Sequence, residues 1–161
     1  MSIYPECVVN DNVHPDYQEL ARAIFECRSC REHWPDFALE TGPTARHPEM
    51  AHGSARPTIL IVSINPKYDP DREVDVDVAS FIARATSTAS VNEANDFDRA
   101  LAKALPAGYS LRNGNVTNTR VYKCATANET RIRGVAAACA DRFLVREIKL
   151  MKPRVVLAMG K

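Results

Sequence analysis

The stretch Thr58 to Lys67, TILIVSINPK, constrains the fold of this chain more than any other. Thr58, Ile59, Leu60, Ile61, Val62 and Ile64 form a nearly continuous β-branched and aliphatic run, the pattern of a strand buried on both faces of a parallel sheet. The run ends on Asn65-Pro66. A residue before proline is pushed out of the helical region and asparagine bonds nearby backbone, so the strand stops there in a sharp polar turn. Such a turn lies at the carboxyl end of a parallel strand, where open α/β sheets place their ligand crevices. Asn-Pro is equally the dipeptide of an ordinary turn.

The remaining elements follow from periodicity and breakers. Pro15 to about Arg28 reads as a helix whose Tyr17, Leu20, Ile24 and Cys27 share one stripe. Glu32 to Pro57 is broken too often by proline and glycine for regular structure and is expected to be a surface loop. Val78 to Ala85 is a short helix carrying Phe81, and about Asn95 to Leu105 a second, with Asp96 as its cap. Asn115 to Tyr122, NVTNTRVY, alternates as a second strand. Gly134 is expected to introduce a long helix over Val135 to Lys152, which Pro153 stops, and RVVLAM over Arg154 to Met159 reads as a third, buried strand. Strand, helices, strand, helix, strand implies right-handed crossovers and a three-layer α/β/α sandwich around a short parallel sheet. With 161 residues and 45% hydrophobic content, a single domain over 1–161 can form one core without disulfides, its first 14 residues being expected to be mobile.

The absences and the charge narrow the function. No Gly-x-Gly-x-x-Gly or Gly-x-x-x-x-Gly-Lys-Ser/Thr follows the first strand, so neither a dinucleotide site nor a P-loop is supported. No apolar run reaches membrane-spanning length and MSIYPECVVN lacks a signal-like pattern, which makes a cytoplasmic location the expectation. Residues 1–105 hold 10 Lys and Arg against 17 Asp and Glu, whereas residues 106–161 hold 11 against 3. The basic half, with Arg112, Arg120, Lys123, Arg131 and Arg133 close in sequence, suits either a phosphate backbone or a set of solvated faces. Five cysteines in a chain of this kind point to metal binding or free thiols before disulfides. Cys27 and Cys30 form a Cys-x-x-Cys pair at a helix end, Cys124 and Cys139 are a second pair that the fold could bring to the first, and Cys7 is left over.

Taken in order, the Cys27-Cys30 pair, the turn Ser63-Ile64-Asn65-Pro66, Thr117-Asn118 leading to Lys123-Cys124, Cys139, and the strand Pro153 to Gly160 resemble the uracil-DNA glycosylase superfamily, most closely its iron-sulfur branch. The first motif, SINPK, is closer to the Asn-Pro turns of the mismatch-specific and single-strand-selective branches, with Ser63 and Ile64 where the iron-sulfur branch has glycine and glutamate. The resemblance implies hydrolysis of the N-glycosidic bond of uracil or a related base in DNA, as a step of base excision repair. It implies that Asn65 positions the attacking water and that Ser63, Ile64 and Pro66 line the base pocket. It further implies that Asn118 would read the uracil edge and that Phe81, or else Tyr68, would stack on the base. Arg120, Lys123, Arg131 and Arg133 would contact DNA. Cys27, Cys30, Cys124 and Cys139 would ligate a structural [4Fe-4S] cluster.

The asparagine register between Asn118 and Cys124 is two residues longer than the family pattern. The resemblance also implies a His- and Ser-containing loop several residues beyond Gly160. Because the sequence stops at Lys161, a sandwich cut short at its C-terminus and a poor glycosylase are expected, binding uracil-containing or single-stranded DNA as a monomer. Two other readings use the same residues: a catalytically impaired iron-sulfur DNA-binding module of this fold, and a zinc-stabilised α/β protein of another function. His47 and His52 receive no role.

Overall fold

The sheet is built outward from the aliphatic run. In the computed structural model, which describes residues 15–30, 50, 56–64, 77–86, 96–111, 114–124 and 129–159, β1 spans Ile59–Ser63. It lies between β2, Val116–Arg120, and β3, Val155–Ala158, in a parallel sheet of order β2-β1-β3. Its register pairs Ile61 with Asn118 and Ser63 with Arg120 on one side, and Ile59 with Val155 and Val62 with Ala158 on the other.

Alternation along β1 divides the core in two. Leu60 and Val62 join Tyr17, Leu20, Ile24, Met50, Phe81, Phe143 and Met151 on one face. Ile59 and Ile61 join Leu111 and Val116 on the other, with Leu101, Leu105 and Tyr109 packed against them. The first face is covered by α1, Pro15–Glu26, by α2, Val78–Thr86, and by the C-terminal helices; the second is covered by α3, Asp96–Ala104. This is the expected α/β arrangement, with the strand buried on both sides because helices sit on both sides.

Local signals account for the helix ends. Asp77 caps α2, its Oδ1 accepting the Ser80 N–H at 2.7 Å. That bond holds its exposed carboxylate below the usual range. Pro106-Ala107-Gly108-Tyr109 closes a turn after α3 with a Tyr109 N–H to Pro106 carbonyl bond of 3.1 Å, and Gly108 supplies its φ of 88°.

The C-terminal helix departs from expectation in two ways. It begins at Glu129 rather than Val135, as α4, Glu129–Cys139, so Gly134 lies inside it. It then passes through a π turn, Ala140–Leu144, where the Val145 N–H bonds the Ala140 carbonyl, into α5, Val145–Met151. Val135, Cys139, Phe143, Glu147 and Met151 recur every four residues on the packed side. A step of four overshoots a 3.6-residue turn, and the wider π turn restores the phase. Lys152, at φ 48°, closes α5 in the left-handed conformation, its N–H donating to Ile148 O at 2.9 Å, and Pro153 prevents continuation.

The third strand is present, but its expected burial is not. Val155, Val156 and Leu157 are 42–44% exposed, because among the described residues β3 pairs with β1 alone and the helices cover β1 and β2 instead.

Candidate functional site

The carboxyl ends of β1 and β2 are stitched together beyond the strands themselves. The Val121 N–H donates to the Ser63 carbonyl and the Tyr122 N–H to the Ile64 carbonyl, each at 2.8 Å. Arg120, the register partner of Ser63, donates from Nη1 to Ser63 Oγ. The chain at Ser63 and Ile64 is therefore fixed on one side by β2. Ile64 stands 48% exposed at this rim. Asn118 is half-buried, two residues before Arg120 and on the same side of β2 by strand alternation. The structure thus gathers Ser63, Ile64 and Arg120 at the carboxyl end of the sheet, with Asn118 one step back, opposite Ile61 at the middle of β2. Asn65, Pro66 and Tyr68 lie outside the described residues, as do Cys7, His47, His52 and Arg112. Arg131 and Arg133 are on α4, their side chains also outside them.

Two expected site residues occupy other environments. Phe81 is fully buried, its ring 5.7 Å from that of Phe25 at 37°, which is a core position on the α1 face of the sheet. Lys123, expected among the phosphate contacts, is 1% exposed and ion-paired with Glu147, itself 0% exposed. Thr119 completes the network, accepting from Lys123 Nζ and donating to Glu147 Oε2, both at 2.7 Å. A cation held this way is unavailable to solvent-borne phosphate. The reason is the alternation of β2, which turns Thr119 inward toward α5 and leads Lys123 in behind it. Glu147 also pushes the buried Tyr17 phenol further up, adding to the effect of burial.

Around the same corner the four cysteines converge. Cys27 and Cys30 follow α1, Cys124 follows β2 and Cys139 ends α4, and all four thiols are free. Burial pushes Cys30 and Cys124 up, and Cys139 up to about 11; each is raised further by neighbouring cysteines, Cys124 by the other three together. Cys30, Cys124 and Cys139 all pack against Tyr122. The Lys123 backbone and charge oppose the rise at Cys139. A cleft of about 160 Å³ opens beside them, lined by Cys27, Cys30, Val135, Cys139, Arg142 and Phe143 among others. Arg142 closes one edge by donating to Ser29 Oγ at 2.7 Å. Among the described residues no three His, Cys, Asp or Glu side chains already stand as a metal-holding group. The donor set is nonetheless soft and sulfur-only, and burial favours the protonated thiol at Cys30, Cys124 and Cys139 until a cation is supplied; sulfur donors of this kind suit an iron-sulfur cluster, zinc or copper(I).

Sequence reasoning missed the Thr119-Lys123-Glu147 network and Tyr122, whose side chain is wholly buried against Cys30, Cys124, Val135, Ala136 and Cys139. The signal for the first was a glutamate at a core-spaced position between Phe143 and Met151. Tyr122 carried none beyond its place beside Cys124.

A family model described as the Uracil DNA glycosylase superfamily matches residues 50–161, which takes in all three strands, Cys124 and Cys139 but not the Cys27-Cys30 pair. No curated protein matches the chain.

Proposed function

Since this chain belongs to the uracil DNA glycosylase superfamily, we propose that it removes uracil or a related damaged base from DNA by hydrolysing the N-glycosidic bond, as part of base excision repair. The observation that carries this reading is the junction of the β1 and β2 ends, where Ser63 and Ile64 are held to β2 immediately before Asn65. Such an enzyme must extrude the nucleotide, read its edge, hold a water under a developing cationic sugar and stabilise the departing base. Asn65 holds the water through its amide oxygen, Asn118 reads the uracil edge, and the backbone at Ser63 to Pro66 walls the pocket. Arg120 braces the turn through Ser63, while Arg131 and Arg133 contact the phosphates of a DNA strand. Tyr68 takes the stacking role, since Phe81 serves the core.

Cys27, Cys30, Cys124 and Cys139 hold a [4Fe-4S] cluster. Bound there, it supplies a structural cross-link rather than base chemistry, tying the end of α1 to β2 and α4. The convergence of the four thiols supports this, and zinc is another metal the donor set would accept.

Abasic-site formation on a uracil oligonucleotide tests the activity. Asn65→Ala should lower single-turnover cleavage by about 100-fold with DNA affinity nearly unchanged. Arg131→Ala should weaken binding and reduce its salt slope by about one unit. Equal effects of both variants on affinity would return Asn65 to an ordinary turn residue, and uracil-DNA binding with no base release would identify a binding module instead. Iron and sulfide in anaerobically purified protein, lost in Cys139→Ser and kept in Cys7→Ser, test the cluster.

A further inference from the structure

We propose that the Tyr122 hydroxyl donates a hydrogen bond to a sulfur of the centre held by Cys27, Cys30, Cys124 and Cys139, and so acts as a positioning residue that tunes that centre. The inference rests on the four cysteines being ligands, as proposed above. Tyr122 leaves β2 two residues after Arg120, and its backbone is pinned by the bond from its N–H to the Ile64 carbonyl at 2.8 Å. The side chain is 0% exposed and packs among Cys30, Cys124 and Cys139.

Among the described residues its oxygen is shielded from solvent and no nitrogen or oxygen pairs with it, the Cys30 thiol being the neighbour it faces. A buried hydroxyl without a partner is unfavourable by about 1–3 kcal/mol, and phenylalanine would fill the same space without that cost. The acceptors nearest at hand are sulfurs. A thiolate or cluster sulfide is negatively charged, so a phenol donor strengthens its hydrogen bond as electron density on sulfur rises. Hydrogen bonds of this kind are among the factors that set iron-sulfur potentials, favouring the reduced state. The same residue joins the centre to the turn before Asn65 through a single backbone bond.

The test uses the full chain purified without oxygen, compared with Tyr122→Phe by iron and sulfide content and by dithionite titration followed optically. The variant should keep its iron and sulfide while its midpoint potential falls by about 59 mV, the one-electron equivalent of a tenfold change in the reduction equilibrium. A retained cluster with an unchanged potential would overturn the inference. If the phenylalanine protein loses iron, a ring-fluorinated tyrosine at position 122, nearly the same size and a stronger donor, should raise the potential, and no change would again overturn it. Wild-type protein without iron overturns the ligand assignment and this role with it, so the two failures are read in different samples.

Discussion

At the scale of single residues, Glu147 is a buried charge that the fold depends on. It is buried with Lys123 and Thr119 between β2 and α5, and removing one member of such a pair leaves the other charge without compensation. Glu147→Ala should therefore destabilise the fold by about 3–5 kcal/mol in urea or thermal unfolding. Replacing both charges, as Lys123→Met with Glu147→Leu, should recover most of that loss, because the desolvation of two ions is removed together with their attraction. Full destabilisation persisting in the double variant would mean that the network specifies the local backbone. Phe81 illustrates the opposite case. Its burial against Phe25 makes Phe81→Ala a packing variant, expected to cost about 3–5 kcal/mol, so any loss of activity must be compared with its loss of stability.

At the scale of elements, the C-terminal helix shows how one stripe with a spacing of four is kept on the core. The π turn at Ala140–Leu144 takes up the accumulated overshoot and leaves Phe143 and Glu147 inward. Gly134 sits earlier in that helix, exposed, with nothing within 4 Å of the position a Cβ would take. Gly134→Ala should stabilise the protein by about 0.5–1 kcal/mol, seen as a higher denaturant midpoint with unchanged slope. A destabilised alanine variant would show that the backbone there needs glycine's freedom.

At the scale of the whole molecule, the described helices cover two strands and leave the third open. Val155, Val156, Leu157 and Met159 present apolar surface along a strand edge that is unpaired among the described residues, the kind of surface that promotes association between copies. The 161-residue chain should bind a hydrophobic dye and scatter light increasingly with concentration, and Leu157→Lys should reduce both without lowering the thermal midpoint by more than a degree or two. Unchanged scattering in that variant would place the sticky surface elsewhere. Ser63 and Ile64 are bonded to β2 on the other side of β1, so a change that quiets β3 leaves that attachment untouched.

The sequence by itself determined the sheet. An aliphatic run stopped by Asn-Pro, an alternating Val-Thr segment and a Pro-bounded RVVLAM stretch are local patterns, and local patterns fix strand existence, so all three strands fall within the stretches expected of them. The cysteine pairs were legible for the same reason, as spacings at element ends. Tertiary structure decided which side of each element faces what. Lys123 reads as a surface cation until β2's alternation and Glu147, 24 residues away, draw it inside. Phe81 is an aromatic of either role until α1 supplies Phe25. Tyr122 acquires its cysteine surroundings only when α1, β2 and α4 meet, because proximity across the chain is set by packing, which no window of neighbouring residues contains.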